Sequence, residues 1–162
     1  MSRRAEKQPA MVLKPVALVK NDAREPGMRD WSRVFSELVF EREFVNALDG
    51  LEDFSHIIVI FWMHLFAGQE RIPLKTHPQM RTELPLVGIF ATRSPIRPNP
   101  LGIAVAQMLE RKGNVLRVKG LDAVDGTPVV DVKPYFPGAP DDHVKVPDWV
   151  NKLQRHTLKM SI

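Results

Sequence analysis

The stretch richest in chemistry runs from Ala91 to Gly102, Ala-Thr-Arg-Ser-Pro-Ile-Arg-Pro-Asn-Pro-Leu-Gly. Pro95, Pro98 and Pro100 each fix their own φ, and each pushes the residue before it (Ser94, Arg97 and Asn99) toward extended geometry. The stiffened loop still displays Thr92, Arg93, Ser94, Arg97 and Asn99, all able to hydrogen-bond. Such a loop loses little entropy on binding, and the arginine fork matches a carboxylate or a phosphate. The alternative is a proline-rich crossover whose arginines pair with the protein's own acids. The pattern alone divides evenly between the two.

A second segment, Gly120 to Pro137, holds Asp122, Asp125 and Asp131 close together, with Tyr135 behind a proline. Carboxylates can take ribose hydroxyls or an exocyclic amine while a ring takes a base face. Asp125-Gly126-Thr127-Pro128 is also a plain turn signal that needs no function. The three aspartates match no EF-hand spacing, and no metal is expected. His64, in the apolar run Phe61-Trp62-Met63-His64-Leu65-Phe66, is by type more often a hydrogen-bonded core residue than a catalyst. A Ser94–His64–Asp125 triad exists only on paper, because Ser94 precedes proline and lacks a Gly-x-Ser-x-Gly elbow. No glycine-rich phosphate loop occurs, which disfavours Rossmann and P-loop enzymes.

The elements that must position these residues follow from pattern and composition. The chain has 162 residues, 44% hydrophobic and 26% charged, which suits one globular domain. Its longest apolar stretch, Ile57 to Ala67, is interrupted by His64 and falls short of the ~20 residues a membrane-spanning helix needs. The absence of cysteine removes disulfides, thiol nucleophiles and cysteine-ligated zinc. No apolar signal segment follows Met1, so the cytoplasm is the expected location and no membrane partner is expected.

Residues 1–10 read as a disordered basic arm, 11–140 as the folded domain, and 141–162 as an extension with a short helix, Trp149 to Leu158, capped by Asp148. Strands are expected at Met11–Lys20, Ser36–Phe40, His56–Phe66, Pro85–Ala91, Ile103–Glu110, Val115–Lys119 and Val129–Val132, with a short helix at Glu41–Leu48. Many short strands and one or two short helices predict a mainly β fold, a small antiparallel sheet closed or nearly closed into a barrel.

Charge is unevenly placed. Residues 54–119 carry nine Lys and Arg against three Asp and Glu, whereas residues 21–53 carry four against nine. A basic segment inside a domain suits a polyanion or a merely solvated surface. On the first reading Arg71, Lys75, Arg81 and Arg97 are phosphate-contact candidates, with Asn99 and Lys133 completing the substrate-binding set.

Three ordered blocks carry a resemblance over roughly residues 12–137: Leu51-Glu52-Asp53-Phe54-Ser55-His56 leading to Phe61-Trp62-Met63-His64; Gly88 to Gly102, with its Ala-Thr-Arg-Ser-Pro and Arg-Pro-Asn-Pro runs; and Leu121-Asp122 to Pro128 with Asp131-Val132-Lys133-Pro134-Tyr135. These resemble the TsaA-like family, whose bacterial enzyme branch is the tRNA methyltransferase O type. The resemblance implies a small β-barrel that binds S-adenosylmethionine without a Rossmann fold, works as a homodimer, and methylates N6 of threonylcarbamoyl-adenosine next to the anticodon of tRNA. It also implies a cofactor site at Arg24, His64, Leu65, Arg93, Leu101, Gly102, Ile103, Leu121, Asp122, Asp125, Gly126, Thr127 and Pro128.

The exocyclic N6 lone pair is delocalised into the ring, so a carboxylate accepting an N6 hydrogen bond and a stacked ring would both help the transfer. Asp131 and Tyr135 are expected as catalytic residues in those roles, because Asp-Val-Lys-Pro-Tyr loosely resembles the Asp/Asn-Pro-Pro-Tyr pattern of other amino-methyltransferases. Leu65 stands where the bacterial branch has a polar residue, and the chain stops short of that branch's additional C-terminal domain. Two other functions fit the same residues: a cofactor-sensing module without turnover, and a basic nucleic-acid-binding barrel with no small ligand.

Overall fold

The computed structural model describes residues 10–27, 29–137, 147–150 and 152. Eight strands form: β1 (Ala17–Lys20), β2 (Phe35–Phe40), β3 (His56–Trp62), β4 (Lys75–Thr76), β5 (Val87–Gly88), β6 (Leu101–Lys112), β7 (Val115–Lys119) and β8 (Pro128–Pro134). Six of them close into an antiparallel barrel in the order β1-β2-β7-β6-β3-β8, while β4 and β5 make a separate two-stranded ribbon. The expected β class and closed barrel are what the chain adopts.

Period-two burial builds the barrel. Ile57, Val59 and Phe61 of β3 point inward beside Leu38 and Phe40 of β2, Ala106 and Met108 of β6, Leu116 and Val118 of β7, and Val129 of β8. Each such side chain removed from water contributes roughly 1.5–3 kcal/mol. Strand β6 pairs with β3 along its first half and with β7 along its second. Register shifts at Met108/Glu110 and at Ile60/Phe61 supply the local bends that closure requires.

Several boundaries differ from the sequence reading. The first strand begins only at Ala17, because a strand over Met11–Val16 would have to absorb Pro15, which lacks the ladder donor. Arg42–Leu48 forms a 3₁₀ helix, closed by Asp49 and by Gly50 at φ 84°. β3 ends at Trp62, so His64 lies in a 3₁₀ turn, His64–Phe66, and not on the strand. Met63 N–H still donates to Pro100 O at 2.7 Å, in register with the β3–β6 ladder, but Pro100 has no N–H to return the bond and the pairing ends there. The strand expected at Pro85–Ala91 is reduced to Val87–Gly88 and a 3₁₀ turn. β6 and β8 are longer than expected at both ends. Residues 1–9 of the expected arm and most of the expected C-terminal helix lie outside the described residues, although residues 148–150 and 152 are helical. Among the described residues no helix is long and apolar enough to cross a membrane.

Candidate functional site

Strand direction puts three connections at one end of the barrel: residues 21–34 after β1, 63–100 after β3 and 120–127 after β7. Val129 at the start of β8 is paired with Ala17 on one side and Phe61 on the other. His64 lies three residues beyond Phe61, Asp125 four beyond Val129 and Asn21 four beyond Ala17, all toward this same end. The Arg24, His64 and Leu121–Pro128 groups, far apart in sequence, are thereby gathered by adjacent strands. Leu101, Gly102 and Ile103 join them, since Leu101 pairs with Trp62 and Gly102 with Phe61.

Asn21 ties two of these connections together, and the sequence reading passed over it. Its Nδ2 donates to Ser36 Oγ and to Ala123 O, both at 2.9 Å, and its Oδ1 accepts from Ala23 N–H at 2.9 Å. Its own N–H donates to Asp125 Oδ1 at 3.0 Å. Ser36 is a buried hydroxyl, so this amide also satisfies a group that would otherwise be costly inside the barrel. The only local clue was an asparagine opening a turn directly after a strand.

Asp125 accepts from Arg24 Nη1 through its other carboxylate oxygen. Its N–H donates to Ala23 O at 2.7 Å, and Gly126 N–H donates to Val19 O at 2.8 Å with Gly126 at φ 76°. The Asp-Gly turn thus fastens the 120–127 connection to the end of β1. Leu121 and Thr127 are buried in the barrel, so only their backbone can face a ligand. Asp122 is exposed as a residue, yet desolvation around its carboxyl raises its pKa.

On the far side, His64 Nδ1 is buried without a hydrogen-bond partner. Leu65, next in the turn, and Leu101 and Ile103 at the start of β6 are exposed apolar groups, Ile103 at 64%. Gly102 has a packing reason of its own. A Cβ there would lie 2.3 Å from Phe61 Cε2 and 2.4 Å from Cζ, so the inward Phe61 ring occupies the space a side chain would need.

Arg93 makes no hydrogen bond or ion pair among the described residues, and Arg97 bonds only to Thr92 O, at 3.4 Å, with its guanidinium 6.0 Å from the Phe90 ring. Neither arginine pairs with an acid among the described residues. Thr92 and Ser94 lock the turn locally: Thr92 Oγ1 donates to Ile89 O at 2.8 Å, and Ser94 Oγ accepts from Ile96 N–H at 3.3 Å. Asn99 O accepts from Leu101 N–H, leading the loop into β6.

The other substrate-binding candidates divide. Arg71 and Lys75 are exposed and unpaired among the described residues. Arg81 pairs with Glu83 at 2.6 Å and Lys133 with Asp131 at 2.7 Å. Gln79 and Met80, just before Arg81, take positive φ of 52° and 56°, an unusual backbone for side-chain-bearing residues.

Tyr135 is not brought together with the cofactor candidates, whereas Asp131 shares a cross-strand row with one of them, Ile103, through Ile60. Asp131 sits mid-strand opposite Ile60, with Oδ1 accepting from Val132 N–H, and lines a hollow walled by Phe44, Leu51 and Phe54. Tyr135 donates its N–H to His56 O and meets the His56 ring edge-on at 6.4 Å. That is the opposite end of β3, roughly 20 Å from the three connections at ~3.3 Å per residue.

Comparison with known proteins follows this geometry closely. A family model described as the tRNA-methyltransferase O N-terminal domain matches residues 20–141. A probable S-adenosyl-L-methionine-binding protein of Methanothermobacter thermautotrophicus is 41% identical over 128 residues, covering 76% of this chain and 89% of that protein. The tRNA (adenine(37)-N6)-methyltransferase of Escherichia coli is 36% identical over 120 residues, covering 72% of this chain and 51% of that enzyme. The crystal structure of TrmO from Pseudomonas aeruginosa superposes with a TM-score of 0.62 at 29% identity, over 80% of this chain and 57% of that one. The chain therefore spans most of the archaeal relative but only about half of the bacterial ones. Its matched span contains β2, β3, β6, β7 and β8 of the barrel whole, and of β1 only Lys20. The chain belongs to the tRNA-methyltransferase O N-terminal domain family.

Proposed function

We propose that this domain binds S-adenosyl-L-methionine at the barrel end where the three connections meet, and transfers a methyl group to adenine N6 in tRNA. The observation that supports the reading is that the connection after β3 and the start of β6, both at this end, carry groups without partners among the described residues: the guanidinium of Arg93, Nδ1 of His64 and the exposed apolar Leu65, Leu101 and Ile103. They fit such a ligand. Arg93 suits its carboxylate, the apolar groups suit the adenine face, and His64 Nδ1 suits a polar hydrogen. S-adenosyl-L-methionine, when bound, supplies a methyl group on a sulfonium. The chain's part is then positioning, since in-line transfer demands mainly that two reactants be held in line.

Micromolar affinity needs about −8 kcal/mol in total. A guanidinium pair cannot supply that alone, so the apolar lining must contribute. Asp131 is the proposed acceptor of an N6 hydrogen bond. Tyr135, at the far end of the barrel, would serve as a stacking ring only for a site in a second copy. A homodimer fits a further feature. The outer faces of β3 and β6 align half-buried Ile58, Ile60 and Trp62 with exposed Val105, Ile103 and Leu101, an apolar row that a second copy would cover.

Isothermal titration with S-adenosyl-L-methionine and S-adenosylhomocysteine tests the cofactor, and transfer of a labelled methyl group to unfractionated tRNA tests the reaction. Binding without transfer to any RNA favours the sensing module instead. Asp131→Ala that binds cofactor but does not turn over supports its role, and unchanged turnover removes it.

A further inference from the structure

The outward face of β1, β2 and β7 carries a group that none of the site assignments uses. Phe35, the first residue of β2, is 51% exposed on the outside of the barrel. Its cross-strand partner is Lys119, and Arg117 lies two residues along the same face. The Lys119 ammonium is 5.5 Å and the Arg117 guanidinium 5.7 Å from the ring centroid. Lys20 of β1 is on this face too, opposite Glu37, which is in turn opposite Arg117. Among the described residues none of these three cations is held in an ion pair, so Glu37 leaves the face with an excess of positive charge. A second ring carries a cation nearby in sequence: Arg29 lies 5.0 Å from the Trp31 centroid.

We propose that this face is a platform for single-stranded RNA, with a base stacked on Phe35 and adjacent phosphates on Arg117, Lys119 and Lys20. A half-exposed ring flanked by free cations on a rigid sheet combines the two devices that single-strand binders use, base stacking and a basic track. The placement is productive. A cleft of about 560 Å³ runs from Phe35, Lys20 and Arg117 to Arg24, Asp125 and Gly126, so a strand held on the platform lies beside the connections proposed to hold the cofactor. The proposal deepens the function above by saying where unpaired RNA is gripped. It rests on the RNA half of that reading and not on the cofactor half.

Fluorescence anisotropy tests it, using a mixed-sequence oligoribonucleotide about 12 nucleotides long, the same strand annealed to its complement, and an acidic peptide of similar charge. The single strand is expected to bind at least ~10-fold more tightly than the duplex, whose bases cannot stack on the ring. Phe35→Leu should weaken the single strand by ~5-fold or more, with Phe35→Tyr restoring it. Arg117→Gln with Lys119→Gln should reduce the salt slope by about 1.4, from ~0.7 per phosphate contact. Phe35→Leu binding as well as the unaltered protein overturns the platform, as does a duplex or acidic peptide binding as tightly as the single strand.

Titration of the unaltered protein with S-adenosyl-L-methionine keeps the two readings apart. Cofactor binding without RNA binding overturns the platform and leaves the cofactor site. Phe35-dependent RNA binding without cofactor binding upholds the platform and removes methyl transfer.

Discussion

Gly102→Ala separates a packing role from a ligand-contact role at one residue. Gly102 faces inward on β6 directly across from Phe61, and an added Cβ would approach that ring to 2.3 Å. Carbon atoms settle at ~3.5–4.0 Å, so the ring must retreat by more than ~1 Å. Phe61 is only 4% exposed and is flanked by β6 and β8 in a closed barrel, so it has little room to do so. Overpacking of this kind costs ~1–3 kcal/mol, and the tight geometry argues for the upper part of that range. Shortening the partner relieves it. Phe61→Leu is destabilising alone, but the double variant should be more stable than the sum of the two changes, by ~1 kcal/mol or more.

Urea unfolding followed by fluorescence measures all four proteins, with unchanged m values as the condition for comparing midpoints. A Gly102→Ala protein as stable as the parent, or costs that simply add, would refute the reasoning. Cofactor titration of the double variant then completes the separation. Affinity that returns with stability makes Gly102 a packing residue, whereas affinity that stays lost places it against the ligand.

Asn21→Ala removes three side-chain hydrogen bonds and strands the buried Ser36 hydroxyl, so a loss of ~2–4 kcal/mol is expected in the same unfolding assay. Arg111 donates to Asp49, Glu52 and Val45 O, clamping the 41–55 connection onto β6. The Glu52 carboxyl is held below its ordinary pKa, first by its own backbone N–H and then by Arg111. That stability is present above the ordinary carboxylate range and lost as pH falls through the depressed value. Arg111→Leu should therefore lower Tm at neutral pH and weaken the acid dependence of Tm, read by thermal melts across pH. Asp122 has the opposite sign. Desolvation raises its pKa, so the fold gains from protonating it as pH falls, and Asp122→Asn should raise Tm at neutral pH. If its carboxylate faces the sulfonium, the preference for S-adenosyl-L-methionine over S-adenosylhomocysteine should grow as pH rises through that pKa and flatten in Asp122→Asn.

Local pattern and the family blocks determined a great deal by themselves. The β-branched and aromatic run Ile57-Ile58-Val59-Ile60-Phe61, the Lys112-Gly113-Asn114 turn and the Asp125-Gly126 turn are short-range signals, and they became β3, the β6–β7 hairpin and the fastening of the 120–127 connection. The stiffness of the Ala91–Gly102 loop was equally legible, because proline restricts φ wherever it stands.

Contacts between distant residues were not legible. Where β3 stops depends on which residue faces Met63, and it is Pro100, which accepts from Met63 N–H but has no donor to return, so His64 falls in a turn. Whether Arg93 and Arg97 pair internally depends on which acids the barrel brings within reach, and it brings none of the described ones. Register placed Gly102 under Phe61, Asn21 among Ser36, Ala123 and Asp125, and Lys119 beside Phe35. It also carried Tyr135 to the end of the barrel opposite the cofactor candidates. A strand repeats every two residues and advertises its faces in the sequence. Its partner and register are settled only when the barrel closes, and those decide which groups meet.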